Sequence, residues 1–366
     1  MPEIRIPQME PWFDEKETEA VSAYMKGGGW VMEFKKTSEL EAMIATCVGV
    51  QHCVMTTNGT ISLTLGMLAL GMKAGDEVLV PDLTMIASPN AAKLIGVEPV
   101  LVDIDPATLC MDLAKAKEAI TPRTKALMYV AFNGRSADMN EVVKFCKDNN
   151  LFLIEDAAQA LGSQWQGKHL GTFGDIGSFS FSAPKIITMG QGGALVTDSD
   201  ELATKLRRLK DFGRTGGGND IHDEWGWNFK FTDIQAVIGI EQMKKLPWRV
   251  GRKKEIWKKY SELLASISDV RMITTNLENT SPWFIEIFVE NPDALGVYLK
   301  EQGIGSRKIY PAIHTQKIYR DAYAGKKFPE TERVASRGLW LPSSSKLSDE
   351  EIVRVAEAIK LFYSKK

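Results

Sequence analysis

Gly177-Ser-Phe-Ser-Phe-Ser-Ala-Pro-Lys185 is followed closely by Gly190-Gln-Gly-Gly193 and then Ala194-Leu-Val-Thr197. Ser178–Phe181 and Ala194–Thr197 read as strands with no helix between them, so they are expected to pair as a hairpin around the Lys185 loop. Upstream, the apolar run Leu151-Phe-Leu-Ile-Glu-Asp156 ends on carboxylates, and Ala-Ala-Gln159 comes next. Working outward, short apolar runs recur at His52–Met55, Glu77–Val80, Pro99–Asp103 and Lys125–Val130. Helical patterns such as Ile61–Leu70 and Met139–Asn149 separate them. Strands alternating with helix-length segments predict βαβ units and a mostly parallel sheet covered on both faces.

The pattern changes near Leu246-Pro-Trp248. A basic helix over roughly Val250–Ile267 is expected there, then a strand over Trp283–Val289. Helices over Pro292–Gln302 and Asp349–Tyr363 follow. This is an α+β pattern, so residues 1–246 are expected to form a large domain and 247–366 a smaller C-terminal one. Gly27-Gly-Gly29 and Gly216-Gly-Gly218 read as flexible loops, either active-site rims or plain turns.

The 366 residues are 44% hydrophobic and 25% charged, ordinary for a globular protein. Lys plus Arg number 45 against 47 for Asp plus Glu, so no basic surplus points to nucleic acid. Cys47, Cys53, Cys110 and Cys146 lie far apart, and His52, His169, His222 and His314 show no paired ligand spacing. Reduced thiols, no metal site and a cytoplasmic location are therefore expected. No charged-then-apolar leader opens the sequence, and no apolar run reaches membrane-span length.

Lys185 and Asp156 carry the chemical reading. A lysine amine among small and apolar neighbours is pushed toward its neutral, nucleophilic form. A carboxylate at the carboxyl end of a buried strand stands where open α/β sheets place ligands. Together they suit pyridoxal 5'-phosphate (PLP): the amine condenses with the aldehyde and the carboxylate keeps the pyridine nitrogen protonated. Alone, Asp156 also reads as a helix cap, and Lys185 as a solvated charge. Asn58-Gly-Thr60 opens a helix after a strand, which suits a phosphate as well as a simple N-cap. Ser180 could donate to that phosphate, and Gln159 could bond the ring's phenolic oxygen.

NGT at 58–60, EDAAQ at 155–159, FSFSAPK at 179–185, GQGGALVT at 190–197 and WNFKFTDIQAVIG at 227–239 occur in order. This set resembles the sugar aminotransferases of the DegT/DnrJ/EryC1/StrS family, from about Arg5 to Leu361. Tyr310-Pro-Ala-Ile-His314 and Leu341-Pro-Ser-Ser344 resemble that family's substrate-side segments. The resemblance implies a PLP fold-type I homodimer, aspartate aminotransferase-like, acting on a nucleotide-linked keto sugar. It implies Lys185 as the covalent lysine, Asp156 as the pyridine-nitrogen partner and Gln159 beside the ring. Gly59, Thr60 and Ser180 match phosphate binders, and Asn228 a residue reaching the phosphate from the neighbouring subunit.

The sequence departs from the family pattern in three places. Met85 stands where an aromatic residue usually stacks on the cofactor, and Lys230 where an arginine is frequent. A His-containing stretch is absent around Asn133-Gly-Arg135. L-Glutamate is the expected donor. The tail motifs point first to GDP-4-keto-6-deoxymannose, giving GDP-perosamine, with UDP-linked keto sugars as the other class. Arg307, Lys308 and Arg214 are candidates for the diphosphate, and Tyr310 and His314 for the sugar; a solvated or structural role competes for each. A PLP-dependent sugar dehydratase is the nearest alternative, but such relatives carry His in place of the lysine. A non-catalytic regulatory or scaffold protein is the third reading.

Overall fold

The computed structural model describes residues 3–215 and 220–364. The Gly216-Gly-Gly218 loop lies outside the described residues.

The chain begins with α1 (Glu15–Lys26), α2 (Lys35–Val48), β1 (His52–Thr56), α3 (Gly59–Ala69), β2 (Glu77–Pro81), α4 (Ala87–Lys93) and β3 (Glu98–Val102). It continues through α5 (Leu113–Ala119), β4 (Thr124–Val130), α6 (Met139–Asp148), β5 (Phe152–Asp156), β6 (Gln164–Trp165), β7 (Lys168–His169) and β8 (Ile176–Ser180). After β9 (Gly193–Thr197), α7 (Asp200–Lys210) and α8 (Asp233–Leu264) come β10 (Ile285–Phe288), α9 (Pro292–Glu301) and β11 (Arg307–Lys308). The last elements are α10 (Pro329–Arg337), β12 (Gly338–Leu341) and α11 (Asp349–Ser364).

Seven strands form one sheet in the order β1-β9-β8-β5-β4-β2-β3. Neighbours from β3 to β8 pair in parallel, while β9 runs antiparallel to both β8 and β1. The expected hairpin around Lys185 is thus the β8–β9 pair, with Phe179 opposite Ala194. Strands such as β2 and β9 are buried along their whole length, as a sheet covered on both faces requires.

A smaller antiparallel sheet, β10-β12-β11, anchors the C-terminal core. The helix expected from Val250 begins earlier. Thr232 caps it, and it continues through Pro247 for 32 residues. Proline forfeits one helical hydrogen bond, but burial on both sides of it holds the helix together. Ala236, Ile240, Met243 and Leu246 pack with the large sheet's core. Ile256, Tyr260 and Leu264 pack with the C-terminal core. Ile6 bridges to Ile304 and also packs in that second core.

Among the described residues, no helix is long and apolar enough to cross a membrane, and no group of three or more His, Cys, Asp or Glu could hold a metal ion.

Candidate active site

The carboxyl ends of β1 and β5 and the β8–β9 connection open into one cavity of about 750 Å³. Gly59, Thr60, Met85, Asp156, Gln159, Ser180, Lys185, Arg307 and Tyr310 all line it. These residues are scattered over some 250 positions of sequence, and the sheet's topology brings them together.

At the end of β1, Asn58 adopts an extended conformation and its side chain accepts from Ile61 N at 3.0 Å. The first-turn amides of Gly59 and Thr60 have no carbonyl within α3 to meet. A Cβ on Gly59 would stand 2.8 Å from Ser180 Cβ, so only glycine lets the helix end approach the strand that carries the Ser180 hydroxyl. Backbone amides, a hydroxyl and a helix N-terminus form a cradle for a phosphate-sized anion.

Asp156 closes β5 and is buried. Its Oδ2 accepts from Ser88 Oγ at 2.7 Å, and its Oδ1 from Ala158 N at 3.2 Å. Ser88 Oγ also meets Thr84 Oγ1 at 2.8 Å. Burial raises the Asp156 carboxyl above the usual carboxylate range, and those hydrogen bonds and the Lys185 charge oppose the shift. Glu155 points to the opposite face, as strand alternation requires, and accepts from the amides of Gly171, Phe173 and Gly174.

Lys185 is 8% exposed. Its Nζ sits 4.1 Å from the centre of the Trp283 ring, which Trp283 Nε1 anchors by donating to Pro184 O at 2.7 Å. Burial lowers the amine to about 8, Asp156 opposes the shift and Arg307 adds to it. An aromatic wall on one side and a carboxylate nearby leave an amine that is partly neutral at working pH.

Arg307 stacks between aromatic faces, 5.6 Å from the Tyr310 ring centre and 5.0 Å from that of Trp340. Burial pushes the Tyr310 phenol up to about 12, so it enters any chemistry as a neutral hydroxyl. Met85, 42% exposed, faces the cavity with its thioether accepting from Ala87 N at 3.0 Å.

Four expected site residues stand elsewhere. His314 is held by Asp82, through the ring at 2.6 Å and the backbone amide at 2.8 Å, and its ring packs on Phe328 rather than lining the cavity. Asn228 is exposed, bridges to Asp211 and does not line its own chain's cavity. Lys308 pairs with Asp293 at 2.9 Å, and Arg214 with Asp211 at 3.0 Å, both away from the cavity. Gly27–Gly29 closes α1, with Gly29 against the Tyr24 ring, and takes no part in the lining.

Ser88 and Trp283 were not foreseen. Ser88 lies four residues after Thr84, a helical spacing that hints at a shared partner. Trp283 opens an apolar strand-like run, and nothing local marks its ring as the lid over Lys185.

A single cavity holding a depressed lysine amine, a buried carboxylate and an anion cradle, built on this seven-stranded sheet, defines an aminotransferase of the PLP fold type. The chain belongs to the DegT/DnrJ/EryC1/StrS aminotransferase family, whose model matches residues 11–360. It is 36% identical over 364 residues to a GDP-perosamine synthase of Escherichia coli O157:H7, covering 99% of both chains. It is 34% identical over 346 residues to a GDP-perosamine synthase of Caulobacter vibrioides, covering 91% of this chain and 90% of the relative. In structure it is similar to the aminotransferase TlmJ from Streptoalloteichus hindustanus, with TM-score 0.93 and 30% identity, covering 98% of this chain and 99% of that one.

Proposed function

We propose that this aminotransferase moves an amino group from an amino acid, L-glutamate in the first instance, to a nucleotide-linked keto sugar. GDP-4-keto-6-deoxymannose, giving GDP-perosamine, is the leading acceptor. The observation that carries the reading is the Lys185 amine and the Asp156 carboxyl in one cavity with the Gly59–Thr60–Ser180 cradle. The full-length similarity to GDP-perosamine synthases of Escherichia coli O157:H7 and Vibrio cholerae, at 36% and 32% identity, supports the acceptor.

The lining fits PLP. Gly59, Thr60 and Ser180 would hold its phosphate, Asp156 its pyridine nitrogen, Gln159 its phenolic oxygen and Lys185 its aldehyde carbon. When bound, the cofactor supplies the electron sink for negative charge at the donor α-carbon. The remaining work falls to the chain. Lys185 would take the proton from the donor α-carbon and return a proton on the cofactor side, base then acid. Asp156, kept ionised with the help of the Ser88 donor, would hold the pyridine nitrogen in its protonated form. Arg307 offers a cation to a diphosphate, and Tyr310 a neutral hydroxyl to the sugar. His314 would serve the sugar only through the loop it fixes to Asp82.

The working unit is a homodimer in which Asn228 reaches the partner's phosphate cradle. Exposed Trp30, Val31, Met32 and Phe34 support this, as do Ile221, Trp225 and Trp227. Glu33 accepts from Phe231 N at 2.8 Å, which ties the first run to the segment following the second. Cores on either side of residues 246–256 support a division into a large domain, 1–246, and a smaller one, 247–366. Free cysteines, three of them buried, suit a cytoplasmic protein.

Single-turnover mass spectrometry tests the reading. The aminated enzyme is mixed with GDP-, UDP- and dTDP-linked 3-keto and 4-keto sugars. Conversion of one to its amine is expected for the parent and is lost in Lys185→Ala. Full steady-state transamination by Lys185→Ala would sink the proposal. A dehydrated sugar in place of an amine would favour the dehydratase alternative, which Lys185 argues against.

A further inference from the structure

Gln159 is the cavity residue whose chemistry its neighbours decide. A glutamine amide can turn either its oxygen or its nitrogen to a ligand. Here Gln159 Oε1 accepts from the backbone N–H of Asn133 at 2.8 Å. A backbone N–H is only ever a donor, so this bond leaves Nε2 as the half available to the cavity.

The Asn133 amide can reach Gln159 because Asn133 takes a left-handed conformation, φ 51° and ψ 30°. Asparagine tolerates that region better than other non-glycine residues. The next residue, Gly134, is also left-handed, at φ 80°. A Cβ on Gly134 would stand 2.3 Å from Ser281 O, so this turn is pressed against the chain leading into β10.

One carboxylate holds the turn. Asn133 Nδ2 donates to Glu286 Oε2, and Arg135 Nη2 donates to Glu286 Oε1. Arg135 Nε donates further to Thr275 Oγ1 at 3.0 Å. Asn133, Arg135 and Glu286 are all buried, so each bond is made away from competing water. Glu286 lies on β10 of the small sheet, whereas Asn133 and Arg135 follow β4 of the large one. Glu286 lines no part of the cavity.

We propose that Glu286 and Asn133 are positioning residues that fix the amide orientation of Gln159, so that it presents an N–H donor rather than a carbonyl to the bound cofactor's ring oxygen. This rests on the functional reading above. The ion pair of Glu286 with Arg135 holds the Asn133 turn, the turn's amide captures Gln159 Oε1, and Gln159 Nε2 withdraws electron density from the ring oxygen. Loss of that donation leaves the oxygen a stronger partner for the neighbouring imine proton. The cofactor's long-wavelength band then persists to higher pH.

The test is absorbance titration of the PLP-loaded enzyme, following the cofactor's long-wavelength band, together with PLP affinity of the stripped enzyme and melting of that stripped form. Asn133→Gly keeps a backbone N–H and allows the left-handed turn, but nothing at that position then ties the turn to Glu286. Glu286→Asp keeps the charge but is too short to hold Asn133 and Arg135 at once, and it serves if the glycine variant fails to fold. Gln159→Leu, which has no donor, marks the full effect. Lys185, Asp156, Arg307 and Tyr310, the titrating groups that line the cavity, are unchanged in all three.

The expected result is a band midpoint moved to higher pH in Asn133→Gly and Glu286→Asp, toward the Gln159→Leu value. PLP affinity should weaken roughly three- to tenfold, the scale of one hydrogen bond. A purely structural role would lower the melting temperature of the stripped form and leave the midpoint at the parent's value, which overturns the proposal. So would an unmoved midpoint in Gln159→Leu. A parent protein that gives no band with PLP overturns the functional reading itself, and is distinguishable because every variant is compared with that parent.

Discussion

Beneath Trp283, the Lys185 amine ionises at about 8 instead of 10.5, chiefly because burial disfavours its charge. A base with that value is half neutral near pH 8, whereas a solvated lysine reaches that point more than two pH units higher. The rate at which the cofactor-free enzyme captures PLP should therefore rise with pH and level off just above 8. Stopped-flow absorbance reads this directly, and a rise continuing to pH 10 would mean a solvated amine. Asp156 poses the opposite problem, since burial favours its protonated form and Ser88 helps keep it ionised. Removing that donor in Ser88→Ala raises the Asp156 pKa further. Activity that needs the carboxylate is lost as pH falls through this pKa, so the acid limb of the kcat profile should move to higher pH. The loss at the optimum should be roughly ten- to a hundredfold, the scale of one hydrogen bond to a charged group. Lys185 and Asp156 were legible because their settings, a Gly-rich turn and the end of an apolar run, are local. Ser88 was not, because its value lies in meeting a strand 68 residues away.

At the scale of elements, α3 and α8 divide the work of binding and support. α3 brings its N-terminus within contact of β8 only because Gly59 has no side chain. Gly59→Ala forces the cradle open, and a roughly tenfold or greater loss of PLP affinity is expected by equilibrium titration of the stripped enzyme. α8 carries the buried Lys253, which donates to Ser343 O and lies 5.9 Å from the Phe284 ring centre. Burial lowers its amine from 10.5 to about 7. Below pH 7 both the folded and the unfolded chain carry this charge, so the full burial cost is present there. The cost fades as pH rises from 7 to 10.5, because only the unfolded chain then binds the proton. Lys253→Met should thus be more stable than the parent at pH 6, by on the order of 2 kcal/mol after loss of the Ser343 hydrogen bond. Denaturant melts across pH 6–10 should show that gain shrinking to nothing. The strands were readable from their apolar runs, and the hairpin from the missing helix between two of them. The start of α8 was not, because Pro247 reads as a break. What carries the helix through it is burial against two different cores, which only the assembled fold supplies.

Among the described residues, two runs of the chain leave large apolar side chains uncovered by the folding of a single chain. Trp225 is 87% exposed beside Ile221 and Trp227, and Trp30, Val31, Met32 and Phe34 are exposed as well. Patches of this kind are what a subunit interface covers, and Asn228 lies within the same stretch, away from its own cavity. Its place in the sequence motif was legible, but which cavity it serves depends on a second copy of the chain. In the proposed dimer each site combines Lys185 of one chain with Asn228 of the other, and that combination can be tested by mixing. Lys185→Ala lacks the amine, and Asn228→Asp sets a negative charge against the phosphate, so each homodimer should be inactive. In a refolded equimolar mixture half the dimers are mixed. Each mixed dimer has one site in which the intact Lys185 faces the intact Asn228, so about a quarter of all sites should recover activity. Sedimentation should show Trp225→Asp shifted toward monomer, with weaker PLP binding, because the partner's Asn228 leaves with the partner. If the mixture stays as inactive as its components while sedimenting as dimer, each cavity is complete within its own chain and Asn228 is a surface residue.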